Sequence, residues 1–275
     1  VITPDGTLRY HKGDVVDTVT TDEDGTSKSK ELYLGKYTVV ETKAPTGMVI
    51  NKEKHSVELT YAGQDVAVTE TATSFVNERQ KVKISLEKIL EQDETFGIGK
   101  NDEIKNISFG LYAKEDVVSS SGTVIPADGL IEIITLDENG AATANTDLPF
   151  GSYYIKEITT DEHYILSDTQ YPFTFEYAGQ DTETVEIKVN DGKSIENKLI
   201  YGSVSGKKID ENGEALGGAL IGIFKADETE FTKEHAIMTA TSEKDGSFSF
   251  TKVPYGKWIV REIEAPEGFV LDDTS

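Results

Sequence analysis

The pentapeptide Tyr-Ala-Gly-Gln-Asp occurs at 61–65 and again at 177–181, 116 residues apart (177 − 61). An internal repeat of that length constrains a chain more than any single motif does, because each copy has to fold as one unit against its neighbours. Glu41 and Glu157 stand at the same offset, within Gly35-Lys-Tyr-Thr-Val-Val-Glu41 and Gly151-Ser-Tyr-Tyr-Ile-Lys-Glu157. A third copy reads Gly256-Lys-Trp-Ile-Val-Arg-Glu262. In each, a Gly precedes the Glu by six residues and an aromatic precedes it by four. A large side chain, Met48, Tyr164 or Phe269, follows it by seven. Two more features recur at 120 residues: Lys88 with Lys208 (208 − 88) and Asn77 with Asn197 (197 − 77).

Within one unit the order is Lys, Glu, Asn, and the unit boundaries fall near Gln80 and Tyr201. Residues 1–79 read as a unit lacking its first strands, 80–200 as a complete unit, and 201–275 as a unit lacking its last strands. The chain begins at Val1, with no charged leader or signal peptide, and reads as a piece of something longer.

The segments within each unit are short and rich in Val, Ile, Thr, Tyr and Phe, and many alternate apolar with polar residues, which is the pattern of strands. Asp24-Gly25, Asn139-Gly140, Asn212-Gly213 and Asp245-Gly246 are hairpin-turn dipeptides. No amphipathic helix of a dozen residues stands out. Short strands at even spacing in units of this size predict an all-β chain of tandem β-sandwiches, one complete and two truncated.

Composition narrows the function. Lys plus Arg is 27 against 50 Asp plus Glu, a formal net charge of −23. That argues against nucleic acid, which needs a basic face, and against an anionic membrane surface. No apolar run is long enough to span a membrane within this segment. There is no cysteine, so disulfides, thiolate metal sites and Cys nucleophiles are all excluded. The four His share no metal-ligand spacing, and no cofactor is implied. Asp22-Glu-Asp-Gly25 and Asp210-Glu-Asn-Gly213 are acidic turns that lack the ligand set of an EF-hand.

Alternation also shows which face each repeated polar residue uses. Side chains in a strand change face at every residue. Glu157 therefore shares a face with Tyr153 and Ile155, Glu41 with Tyr37 and Val39, and Glu262 with Trp258 and Val260. By the same count Lys88 lies with Ile84 and Leu86, Asn197 with Ile195, and Asn77 with Phe75. Lys, Glu and Asn are seldom buried without partners. Two readings follow. One is a buried Lys–Glu ion pair capped by an Asn. The other is chemistry among the three: burial disfavours the charged amine, and a neutral Lys amine is a nucleophile. Attack on the Asn side-chain carbonyl, with the Glu moving protons, would release ammonia and leave an amide cross-link.

Val40-Glu41-Thr-Lys-Ala-Pro-Thr-Gly47 and Arg261-Glu262-Ile-Glu-Ala-Pro-Glu-Gly268 resemble the signature of Cna B-type domains, also called SpaA-like, of Gram-positive surface adhesins and pilins. Lys208-Ile-Asp-Glu-Asn-Gly-Glu-Ala-Leu216-Gly-Gly-Ala219, followed by Phe224, resembles their opening strands. The resemblance implies an Ig-like, prealbumin-like sandwich with a self-catalysed Lys–Asn isopeptide bond. Carried over, it gives a bond between Lys88 and Asn197 with Glu157 as proton shuttle. Glu41 with Asn77, and Lys208 with Glu262, are the equivalents left without a third member in the outer units. The middle unit departs from the family where it has Thr159-Thr-Asp-Glu-His-Tyr164 and an added polar stretch at about Glu91 to Lys105.

The resemblance implies a structural stalk of an extracellular, cell-wall-anchored surface adhesin. Its partners would be neighbouring domains of the same protein, and host extracellular matrix through other domains. The alternatives are a pilin fragment, although neither a pilin motif nor a sorting signal is present, and a ligand-binding adhesin module. Turnover catalysis is not expected: there is no Gly-x-Ser-x-Gly elbow, no His-Glu-x-x-His and no phosphate loop.

Overall fold

The structure is a computed structural model that describes residues 1–119 and 121–272. Among the described residues its regular structure is almost wholly strand, with two short 3₁₀ turns. By contact density the chain forms two compact units. One holds residues 1–81 together with 177–185; the other holds 82–176 and 186–275.

The first unit has little regular structure. β1 (Gly35–Val40) and β2 (Lys54–Leu59) form an antiparallel pair, with Tyr37 opposite Val57. Much of the remainder runs in turns and isolated bridges such as Met48 with Arg79, so the strand content expected of this segment is only partly present.

The second unit contains two sets of sheets. In the first set, β3 (Lys81–Leu90) begins one sheet, and β4 (Ser108–Ala113) belongs to the facing one. A small hairpin of β5 (Val117–Val118) and β6 (Val124–Ile125) follows. Next come β7 (Leu130–Thr135), β8 (Ala141–Ala144), β9 (Gly151–Thr159), β10 (Gln170–Phe175), β11 (Thr184–Lys188) and β12 (Ile195–Asn197). The sheets are β10-β9-β4-β7 and β11-β3-β12, with β8 also on β3. Phe109, Leu111, Tyr153 and Ile155 of one sheet, and Ile84, Leu86 and Ile195 of the other, are buried. This is the alternation of a sandwich in which each strand gives one face to the core.

The second set comprises β13 (Tyr201–Lys207), β14 (Leu220–Lys225), β15 (Met238–Thr241), β16 (Ser247–Pro254) and β17 (Trp258–Glu264). It forms the sheets β13-β16 and β15-β14-β17. Both sets share one apolar cluster, in which Tyr164 and Leu199 join Ile221, Ile223, Phe250 and Val253.

Phe96 and Ile98 lie in the same cluster, and Phe96 meets Trp258 edge-on with ring centroids 4.8 Å apart. The stretch from Glu91 to Lys105 is thus more than a polar insertion. Its two apolar residues fill the core, and buried Glu103 accepts the backbone N–H groups of Gly99 (3.0 Å) and Asn101 (2.6 Å).

The expected turn dipeptides do turn the chain, but two of them do not close hairpins. Asn139-Gly140 leads from β7, which pairs with β4, to β8, which pairs with β3. Asp245-Gly246 leads likewise from β15, on β14, to β16, on β13. Local turn chemistry specifies the reversal; apolar facing decides which sheet receives the next strand. In the acidic turns the carboxylates hold the backbone. Asp22 accepts from Asp24 and Thr26, and Asp210 from Asn212 and Glu214.

Candidate functional site

Lys88 and Asn197 lie on neighbouring strands. β12 runs parallel to β3, with Ile195 opposite Lys88 and Asn197 opposite Leu90, so Lys88 and Asn197 are diagonal neighbours on one face. Glu157 reaches them from β9 in the facing sheet. All three are buried, Lys88 and Glu157 at 1% exposure and Asn197 at 2%.

Two backbone features position these side chains. The Lys88 N–H donates to the Gly140 carbonyl at 2.7 Å, and Gly140 adopts φ +80. A Cβ at Gly140 would lie 2.1 Å from the Lys88 carbonyl oxygen, so only glycine lets the turn approach this closely. The arrangement recurs at Lys208, whose N–H donates to Gly246 O at 2.8 Å. The second feature holds the glutamates. Glu157 accepts from the Ser167 N–H at 3.0 Å, Glu41 from Asn51 N–H at 2.6 Å, and Glu262 from Asp272 N–H at 2.8 Å. The donor is ten residues on in every copy. These backbone donors have no sequence signal, since any residue but proline can supply one.

The aromatic four residues before each Glu is fixed in the same repeated way. Tyr37 donates to Tyr33 O (2.6 Å), Tyr153 to Pro149 O (2.7 Å) and Trp258 to Pro254 O (2.9 Å). Tyr153 fills the core and Tyr37 and Trp258 are half-buried, and in each the polar tip is satisfied by the backbone. The large residue seven beyond the Glu bridges the segment just past the Asn where an Asn is present: Met48 with Arg79, and Tyr164 with Leu199.

Asn197 Nδ2 donates to Glu157 Oε1 at 2.7 Å, to Glu157 Oε2 at 3.0 Å and to the Thr160 hydroxyl at 2.9 Å. Thr160 was not foreseen from the sequence. Lys88 Nζ lies 3.9 Å from Glu157 Oε1, an ion-pair distance but not a hydrogen bond. Lys88 Nζ and Asn197 Oδ1 are both buried without a hydrogen-bond partner. Burial pushes the Lys88 amine down to about 8, and the nearby Glu157 and Glu196 carboxylates offset this only in part.

The outer copies bring together the members they have. Asn77 Nδ2 donates to Glu41 Oε2 at 2.7 Å and to Val49 O at 2.9 Å. Lys208 Nζ donates to Glu262 Oε2 at 3.1 Å and lies 4.0 Å from Asp272. Unlike Lys88, Lys208 is only partly buried and makes a hydrogen-bonded ion pair. Glu262 Oε1 is buried without a hydrogen bond. Among the described residues no group of three His, Asp or Glu could hold a metal ion, and no helix is long and apolar enough to cross a membrane.

A family model described as SpaA, a prealbumin-like fold domain, matches residues 6–73, 94–193 and 202–275. No curated protein matches the chain. Among solved structures, the chain is similar to the Bacillus anthracis TIE protein, at 22% identity and a TM-score of 0.62. That match covers 93% of this chain and 41% of the other, so this chain spans less than half the length of that protein. The chain is also matched to a Streptococcal ancillary pilin, at 22% identity and a TM-score of 0.30, over 90% of this chain and 71% of that one. BcpA, the major pilin subunit of Bacillus cereus, is matched at 15% identity and a TM-score of 0.32, over 90% and 83%.

Proposed function

This chain belongs to the family of SpaA prealbumin-like fold domains, and on that premise we propose that it is a structural stalk segment of a Gram-positive pilus or surface adhesin. In this reading its three modules are 1–79, 80–200 and 201–275, and the middle one is closed by an amide bond between Lys88 and Asn197. The observation that carries the reading is the state of the buried triad. An ion pair retained for stability would hydrogen-bond its ammonium, because an unsatisfied buried cation is costly. Lys88 Nζ instead has no hydrogen bond and sits in surroundings that favour the neutral amine.

The step balances without an oxidant or cofactor. The lone pair of neutral Lys88 Nζ attacks Asn197 Cγ. Glu157, in its protonated form, donates to Asn197 Oδ1 once the amide turns over from the orientation in which Nδ2 faces the carboxylate. That polarises the carbonyl and stabilises the developing oxyanion. The carboxyl then relays a proton from Nζ to Nδ2. The Cγ–Nδ2 bond breaks, ammonia leaves, and the Nζ–Cγ amide remains. Packing of two sheets supplies the proximity, worth roughly 7–11 kcal/mol of the barrier. The triad acts once and on itself, so the protein is not a turnover enzyme.

A bond between residues 88 and 197 takes the 108 residues between them (197 − 88 − 1) out of the path of a pulling force. By analogy with a disulfide, closing a loop of that size stabilises by roughly 4–5 kcal/mol, and no reductant opens it. Single-molecule stretching tests this role. The wild-type chain should show no extension from the segment between Lys88 and Asn197, whereas Asn197→Ala should release it. Equal extension in both would exclude a load-bearing cross-link.

A further inference from the structure

The residue three beyond each repeated glutamate is Ala44 after Glu41 and Ala265 after Glu262, but Thr160 after Glu157. The change puts a half-buried hydroxyl beside the buried triad. Asn197 Nδ2 reaches the Glu157 oxygens at 2.7 and 3.0 Å and Thr160 Oγ1 at 2.9 Å. In the first copy the side-chain amide of Asn77 donates to Glu41 Oε2 at 2.7 Å and to the Val49 carbonyl at 2.9 Å. The two sites thus satisfy the same amide in different ways. A carbonyl oxygen can only accept, so Val49 holds Asn77 with Nδ2 toward the carboxylate. A hydroxyl both accepts and donates, so Thr160 can partner either end of the Asn197 amide.

Thr160 is fixed from both sides. Before it, the Thr159 hydroxyl donates to Asn106 O at 3.1 Å. After it, buried Asp161 accepts from Asn106 Nδ2 at 2.6 Å and from the His163 N–H at 3.1 Å. Asn106 closes the short 3₁₀ turn Glu103–Asn106, at the end of the added stretch Glu91 to Lys105. The middle unit's two departures from its family, that stretch and Thr159 to Tyr164, therefore meet at Asn106 and pin the backbone that carries the hydroxyl.

We propose that Thr160 is a second oxyanion donor of the cross-linking step, acting with Glu157 on Asn197 Oδ1. The proposal rests on the cross-link reading and adds a residue to it. When the amide turns over about its Cβ–Cγ bond, Oδ1 takes the place that Nδ2 now has, within hydrogen-bond reach of both the Glu157 carboxyl and the Thr160 hydroxyl. Thr160 then changes from acceptor to donor. As Lys88 Nζ bonds to Cγ, negative charge gathers on Oδ1, and two preorganised donors stabilise it. Thr160 keeps its own proton throughout. The Nζ proton still passes by way of Glu157 to Nδ2, the Cγ–Nδ2 bond breaks, and ammonia leaves. The hydroxyl also eases the turn itself, because the amide exchanges one hydrogen bond to Thr160 for another. An alanine, as at 44 and 265, offers neither.

The full chain made by cell-free translation, sampled over time, quenched in acid and weighed intact, gives the rate at which each variant loses ammonia. Thr160→Val keeps the shape and removes the hydroxyl. Thr160→Ala installs the residue that the other two copies carry there, so it should fold. Both should keep the wild-type circular dichroism spectrum and cross-link on the order of 100-fold more slowly, the effect of losing one oxyanion donor. Thr160→Ser should come within a few-fold of the wild type. Wild-type rates in Thr160→Val and Thr160→Ala, or a Thr160→Ser as slow as either, would overturn the role of Thr160 while leaving the cross-link in place. A wild type that never loses ammonia would overturn the cross-link reading itself, and this role with it.

Discussion

Asn197 gives its side-chain amide to both carboxylate oxygens of Glu157, at 2.7 and 3.0 Å, while its own carbonyl oxygen has no partner. Lys88 Nζ, 3.9 Å from the same carboxylate, is the other orphan of the site. In the cross-linking step we propose, these two unsatisfied atoms belong to the nucleophile and the electrophile. A pair selected only for stability would leave neither.

Glu157→Gln keeps the size of the side chain and removes its ability to relay a proton. It should fold with the wild-type spectrum and retain its full sequence mass. Glu157→Ala should also stay at full mass, and should cost about 3–5 kcal/mol of stability in denaturant unfolding, because Lys88 loses its ion-pair partner while staying buried. Complete cross-linking in either variant would remove Glu157 from the mechanism.

The uncross-linked chain should carry a pH signature that the cross-linked one lacks. In Asn197→Ala, Lys88 keeps a folded-state pKa near 8 against 10.5 unfolded. Between these values the unfolded chain holds a proton that the folded chain does not, so stability rises with pH across this window. The gain is roughly 3 kcal/mol by pH 10.5. An amide nitrogen does not titrate, so the wild type should show no such rise. Denaturant melts of both proteins from pH 7 to 10.5 would check this, and parallel curves would contradict it.

Gly140→Ala should disturb Lys88 without touching any of the three reacting side chains. The new Cβ meets the Lys88 carbonyl oxygen, and φ +80 strains any L residue. A stability loss of roughly 1–3 kcal/mol and slower cross-linking are expected. Gly246→Ala, which crowds Lys208 in the same way, should destabilise without changing the yield of the Lys88–Asn197 bond.

What could be read from the sequence was what side-chain period encodes. Alternation by two set Glu157 on the face of Tyr153 and Ile155, and Lys88 on the face of Ile84 and Leu86, where the structure buries them. Repetition found the aromatic before each Glu, although not its bond to the carbonyl four residues back. The Ser167, Asn51 and Asp272 N–H donors were invisible because a backbone group carries no residue identity. Phe96 and Ile98 were missed because two apolar residues in a polar stretch give no period.

The central claim is a covalent bond, and the intact mass of the purified chain under denaturing conditions tests it most directly. The wild type should be lighter than its sequence by one ammonia, with fragments containing Lys88 and Asn197 joined after digestion. Lys88→Ala and Asn197→Ala should each have full mass. A wild-type chain at full sequence mass would contradict the cross-link and leave Lys88, Glu157 and Asn197 as a buried ion pair with an amide cap.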